Sequence, residues 1–451
     1  MHESKDGVFR EYNEISNAPQ IFTDAPMTKI IRECYPELHL ITSGSYGCDY
    51  LAYAAARKAI AVPIGSGDSS DPSLKSKIYV PPARRLDGNK GSLAELVDFG
   101  KYLYKWQDTE FILYIVHGSE SVYTRDKSYL LGPTKEAAEA CMLAACEYAK
   151  ELHREVWVFD QGWWQKSREL WQSVENSSWD DVILEESMKQ SIMGEIDKFF
   201  NSREKYQMLK VPWKRGVIYH GPPGNGKTIS IKATMNALNR RSDPIPTLYV
   251  RTLSSFAGPE ASLAGIFLKA RQTAPCYLVF EDLDSIVSDQ VRSYFLNQVD
   301  GLNSNDGILM IGSTNHLERL DPGISKRPSR FDRKYLFPAP DLGQRVQYCE
   351  YWRKRLSGND DLDFPARLCK PIAKITYEFS FAYIQEAFVA ALLAIAGMDE
   401  TNLLTDGDED GFGTFQHVIV DDEDKDLDQY ILWRQIKKQV WILRNELQSG
   451  K

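Results

Sequence analysis

The sequence predicts an α/β fold: a parallel sheet with helices on both faces, preceded by an α+β domain and followed by a small helical domain. Three observations carry this expectation. Between residues 176 and 340, short apolar runs of strand length alternate with helical segments. The stretch GPPGNGKT, residues 221–228, stands between the first of these strands and the first of these helices. Beyond Pro340 the apolar residues recur at helical spacing, as in Leu432, Ile436, Val440, Leu443 and Leu447.

The bulk properties agree with several packed interiors. A chain of 451 residues exceeds one ordinary core, and 43% hydrophobic and 12% aromatic residues supply material for more than one. The expected domains are 1–175, 176–340 and 341–451. The formal net charge is -9, yet residues 399–428 alone hold twelve acidic residues against the single base Lys425. The remainder is close to neutral, so no broad basic face for nucleic acid is expected. Seven cysteines without a CxxC pair argue against a disulfide framework or a zinc site, and for a reducing compartment. No run approaches the roughly 18 apolar residues that span a bilayer. The expectation is a soluble, intracellular protein, cytoplasmic before mitochondrial or nuclear.

Taken in chain order, residues 78–82 and 111–116 (FILYIV) read as strands, and Thr134 can cap a helix running to about residue 153. A strand at 156–159 and a Trp-rich amphipathic segment (Trp163, Trp164, Trp171) complete the expected N-terminal domain, whose role is taken as client or partner binding. The strands of the central sheet are expected at 217–220, 247–250, 277–280, 308–312 and 334–337. Helices at 228–238, 262–273 and 287–299 separate the first four. The helical domain is expected to contain 343–356, 381–396 and 430–447, with the acidic stretch as a loop.

The chemistry begins at Gly221, Pro222, Pro223, Gly224, Asn225, Gly226, Lys227 and Thr228, a full G-x-x-x-x-G-K-[ST] phosphate loop. Glycines allow backbone N–H groups to turn inward around phosphate oxygens, and the following helix presents its positive end. Lys227 supplies a cation to the terminal phosphates, and the Thr228 hydroxyl can ligate magnesium. The sequence therefore predicts a P-loop NTPase sheet binding a nucleotide and Mg2+. Downstream, the run YLVF ends in Glu281 and Asp282, with Asp284 two positions on. A solvated acidic turn is the bland alternative to a site for metal and water. A basic cluster, residues 326–334, has a solvated patch or a nuclear-import signal as its bland alternative, but it is embedded between Leu320-Asp321-Pro322 and a strand.

In their order from Trp179-Asp180-Asp181-Val182 to Phe379-Ser380, these motifs resemble the AAA family of ATPases. The resemblance implies nucleotide contacts at Asp181 and Val182, a polar sensor at Asn315, and arginine fingers at Arg330 and Arg333 reaching a neighbouring subunit. It also implies a ring, typically a homo-hexamer, acting on a protein client, and an inter-subunit signalling motif at Asp300-Gly301-Leu302. Phe256-Ala257-Gly258 resembles the pore loop of ring translocases, with a buried Phe256 as the alternative. Phe381-Ala382 stands where the family usually has Gly-Ala. Within the family, Pro212-Trp213-Lys214-Arg215-Gly216 and the Glu-Asp pair resemble the mitochondrial chaperone branch that translocates the folded Rieske protein, and soluble fungal-type relatives. The register set by Leu283-Asp284 puts Glu281 on the magnesium side and Asp282 on the side of the attacking water, the reverse of the family's usual Asp-Glu. Asp406-x-Asp408-x-Asp410-Gly411 mimics the start of a calcium loop, but its twelfth position is His417 rather than Glu, which favours a solvated loop.

Overall fold

The computed structural model describes residues 24–449 apart from 45–46, 65–73, 83–89, 121–122, 301–302, 328–329, 359–361 and 398–421. The calcium-like stretch, most of the acidic segment, and Gly301 and Leu302 lie outside the described residues. The chain divides into two compact units, Met1–Glu151 and Leu152–Lys451.

In the first unit, strands β1 (His39–Gly44), β2 (Ile60–Pro63), β3 (Leu74–Val80), β4 (Ser92–Trp106), β5 (Thr109–Glu120) and β6 (Tyr123–Gly132) form one antiparallel sheet. Its order is β1-β6-β5-β4-β2, with β3 paired to the outer part of β4. Strand alternation sorts the side chains. Tyr102, Tyr104, Phe111 and Leu113 pack with helices Tyr50–Ala55 and Lys135–Lys150, whereas Phe99, Tyr114 and Val116 pack with helix Asp24–Cys34. Thr134 caps its helix as expected, accepting from the Ala137 N–H at 3.2 Å.

The second unit contains strands β7 (Val156–Asp160), β8 (Trp163–Ser167), β9 (Arg215–His220), β10 (Thr247–Val250), β11 (Cys276–Phe280), β12 (Ile308–Thr314) and β13 (Arg333–Leu336). Their order is β13-β9-β12-β11-β10-β7-β8, parallel throughout except for the β7–β8 hairpin. Every residue of β11 and β12 is buried, as befits central strands covered on both faces. Leu278 and Phe280 face the core shared with helices Pro259–Thr273 and Asp289–Asp300. Tyr277 and Val279 face the opposite core, with helices Glu186–Phe200 and Lys227–Asn239.

The compact units part at Glu151/Leu152, not near residue 175. Strand β7 pairs with β10 through Trp157↔Leu248 and Phe159↔Val250, so it extends the parallel sheet. A four- or five-residue apolar run carries no mark of which sheet it will join; that choice depends on the partner edge. The expected Trp-rich amphipathic segment is strand β8 followed by helix Arg168–Glu175.

Helices Leu342–Leu356, Cys369–Ile375, Phe381–Ala396 and Ile431–Ser449 share a core of their own around Trp352, Phe388, Leu432, Trp433 and Ile436. Trp352 stacks on Phe388 with ring centroids 5.2 Å apart. Among the described residues no helix is long and apolar enough to cross a membrane. Because Trp433 is fully buried, Trp433→Ala should cost about 3–5 kcal/mol by cavity formation. Urea unfolding followed by circular dichroism checks it, and a change below roughly 1 kcal/mol would show that this core does not depend on the indole.

Candidate functional site

The site forms where β9 ends. The loop from Gly221 closes against β13's continuation, and Gly221 at φ +137 leaves no room for a side chain: a Cβ there would lie 2.3 Å from the Phe337 carbonyl oxygen. Gly224, at φ +76, comes equally close to the helical region, with its Cβ position 2.5 Å from the Ala382 Cβ. Only glycine meets both demands, positive φ and close approach. Lys227 is 7% exposed, and its ammonium donates to the Gly221 carbonyl at 2.7 Å and the Pro222 carbonyl at 2.9 Å. Burial pushes its pKa down, while the Asp282 carboxylate pulls it partly back. Thr228 is exposed at the start of helix Lys227–Asn239.

Beside the loop stand the ends of β11 and β12. Glu281 follows β11 directly and uses its two oxygens differently. Oε2 accepts from the Tyr249 hydroxyl, and Oε1 is buried with no hydrogen-bond partner among the described residues. Asp282 takes a left-handed conformation, φ +51 and ψ 53, which Asp tolerates better than most residues. Its N–H donates to the Ser313 hydroxyl at 3.2 Å, and Thr314 donates to Asp284 at 2.6 Å. These two bonds stitch the acidic turn to the end of β12. Asn315, the next residue, consequently lines the same pocket.

That pocket has a volume of about 460 Å³, within the range of a small-molecule site. Thr228, Lys227, Glu281, Asp282 and Asn315 contribute polar lining; Val182, Ile183, Tyr348 and Phe381 contribute apolar lining. Asp181, Pro223, Gly224 and Gly226 also border it. Phe381 does not block the pocket: its ring meets Tyr348 edge-on, with centroids 5.1 Å apart, and both rings serve as wall. The sequence reading omitted Ile183, Tyr249, Ser313, Tyr348 and Gln385. Their positions depend on how the helical region folds back and how neighbouring strands align, which the motifs do not encode.

The residues fit a triphosphate with its divalent cation. The loop offers backbone N–H groups at a helix N-terminus and a lysine for phosphate oxygens. Thr228 Oγ1 and the unpartnered Glu281 Oε1 are hard oxygen donors of the kind that magnesium and its waters accept. Asn225, also buried with both amide atoms unpartnered, lies in the same loop.

Other predicted residues stand outside the pocket. Phe256 is fully exposed on the loop before helix Pro259–Thr273, together with exposed Ala257, and Gly258 has φ +87; the buried alternative for Phe256 is thereby corrected. Of the two predicted fingers, Arg333 is exposed, with its Nε 3.4 Å from Glu195. Arg330 is not a free guanidinium: it is 8% exposed, donating from Nε to Asp300 at 2.7 Å and from Nη1 to the Gly323 carbonyl at 2.6 Å. Nearby Arg327 is exposed. Asp300 feels burial, which raises its pKa, but Arg330 and Lys214 outweigh this and hold it below the ordinary carboxylate value.

Residues 217–339 match the model of the ATPase family associated with various cellular activities (AAA). The match covers β9 through β13 and therefore the phosphate loop, the acidic turn and the strand leading to Asn315. The chain thus carries an AAA domain, a nucleotide-binding module of the AAA ATPase type on a P-loop NTPase fold.

The Arg330–Asp300 pair should carry stability in the single chain. Arg330→Ala is expected to destabilise by roughly 1–3 kcal/mol at neutral pH, since it leaves Asp300 short of a partner. The loss should shrink as pH falls through the depressed Asp300 pKa, because the carboxylate of the reference protein is then protonated too. Thermal unfolding of both proteins across pH reads this; an effect within about 0.5 kcal/mol would mark the residue as a dispensable surface group.

Proposed function

We propose that the protein is a Mg2+-dependent ATP hydrolase, acting as a ring oligomer, most simply a homo-hexamer, that couples hydrolysis to remodelling a protein client. The carrying observation is one pocket that joins the phosphate loop, Glu281, Asp282 and Asn315. Lys227 and the loop N–H groups would hold the β- and γ-phosphates, and Asn315, which lines the same pocket, would address the γ-phosphate. Thr228 and Glu281 would hold the magnesium shell. Bound there, the cation would neutralise charge developing on the phosphate oxygens. Asp282 orients the attacking water and accepts its proton. Val182, Ile183, Tyr348 and Phe381 receive the base.

The ring and the client rest on separate support. Exposed Arg327, and exposed Arg333 beside Glu195, support a guanidinium supplied in trans, which would stabilise the charge of phosphoryl transfer. Arg330 can join them only by releasing Asp300, which would link a neighbour's nucleotide to the Asp300–Arg330 contact. A fully exposed Phe256 has the character of a residue that grips an extended chain. The resemblance to the Rieske-translocating branch supports a protein as client. A second reading, a nucleotide-gated scaffold with little turnover, is favoured by the shorter Asp282, which must bring its water closer than Glu would.

The acid roles are tested by paired substitutions. Asp282→Asn should keep ATP binding and lower turnover at least about 100-fold. Glu281→Gln should lower turnover and also raise the magnesium concentration needed for half-maximal rate. Phosphate release and fluorescent-nucleotide binding across a magnesium series distinguish them. Normal turnover in Asp282→Asn with loss only in Glu281→Gln would reverse the assignment.

A further inference from the structure

Tyr249 lies on β10, outside every motif of the phosphate site, in register with Val279 of β11. Side chains two residues apart on a strand point to the same face, so the phenol projects beside Val279 and toward Glu281. The ring packs against the apolar core on that face. Its hydroxyl reaches one residue step beyond the strand and donates to Glu281 Oε2. The hydrogen bond leaves the phenol as donor and the carboxylate oxygen as acceptor.

The two oxygens of Glu281 are therefore inequivalent. With Oε2 engaged by Tyr249, Oε1 is the buried oxygen left without a partner among the described residues. Glu281 and Asp282 also form a shared wall between the nucleotide pocket and a second cavity of about 540 Å³, in which Tyr249 is a lining residue. A carboxylate on such a wall can turn toward either side unless one oxygen is held.

We infer that Tyr249 is a positioning residue for the ATP site: through Oε2 it fixes the Glu281 carboxylate on the wall beside which the magnesium shell of a bound nucleotide would lie. This rests on the proposed nucleotide chemistry and adds a specific element to it, a tyrosine that sets the metal-side acid without touching nucleotide.

The test is Tyr249→Phe, which keeps the ring in the core and removes only the donor. Equilibrium binding of a fluorescent ATP analogue is measured with magnesium and with EDTA, alongside thermal unfolding. In the wild type, magnesium should tighten binding. In Tyr249→Phe, binding in EDTA should be unchanged, while the tightening by magnesium should fall roughly tenfold, as for other residues that orient a metal-side ligand. In Glu281→Gln, adding Tyr249→Phe should change nothing further. A Tyr249→Phe protein with an unaltered ratio of magnesium to EDTA affinity overturns the inference. A drop in both affinities together, with a lowered unfolding temperature, also overturns it by marking a purely structural role. Failure of the wild type to bind nucleotide in either condition would instead defeat the proposed function itself.

Discussion

A buried ammonium is the constraint around which the second unit is arranged. Lys227 is almost entirely enclosed, and an unpaired charge in such a place is costly. The phosphate loop bends its own carbonyls, from Gly221 and Pro222, onto the amine. That bend demands the positive φ of Gly221 and Gly224, and the tight approaches to Phe337 and Ala382. The loop can hold this shape only because β9 is fixed between β12 and β13. The same strand order brings the ends of β11 and β12 alongside, so the acidic turn and Asn315 face the lysine.

Much of this was legible in the sequence, and the reason is local. The phosphate loop is a contiguous motif whose residues act through their own backbone, so spacing alone specifies it. The five expected strands of the central sheet appear within a few residues of their expected ends, because each is a short apolar run bounded by turn residues. The placing of Glu281 and Asp282 at the end of a buried strand follows from the same grammar. Helices Leu342–Leu356 and Phe381–Ala396 declared themselves through their periodicity.

What escaped was non-local. Strand β7 looked like part of the N-terminal domain, but its hydrogen-bonding edge belongs to β10. The antiparallel sheet of the first unit was read only in part, since β4 carries a long, weakly patterned run, Ser92–Trp106, with no strong strand signal at its start. Arg330 looked like an outward-facing finger because the resemblance to AAA ATPases implies one there; the contact with Asp300, thirty residues earlier in the chain, is what turns it inward. Tyr249 sits in an unremarkable strand and acquires meaning only from the register that sets it beside β11. Tyr348 and Phe381 likewise become pocket walls through the return of the helical region over the loop.

The central claim is that this pocket hydrolyses ATP in an assembled state. The most direct measurement is phosphate release per protomer over a protein concentration series, with the mass of the assembly recorded at each point. The account predicts turnover that rises as the protein self-associates and reaches a plateau when assembly is complete. A fully assembled, ATP-bound oligomer that releases no phosphate, or a rate per protomer that is the same for monomer and assembly, would contradict it.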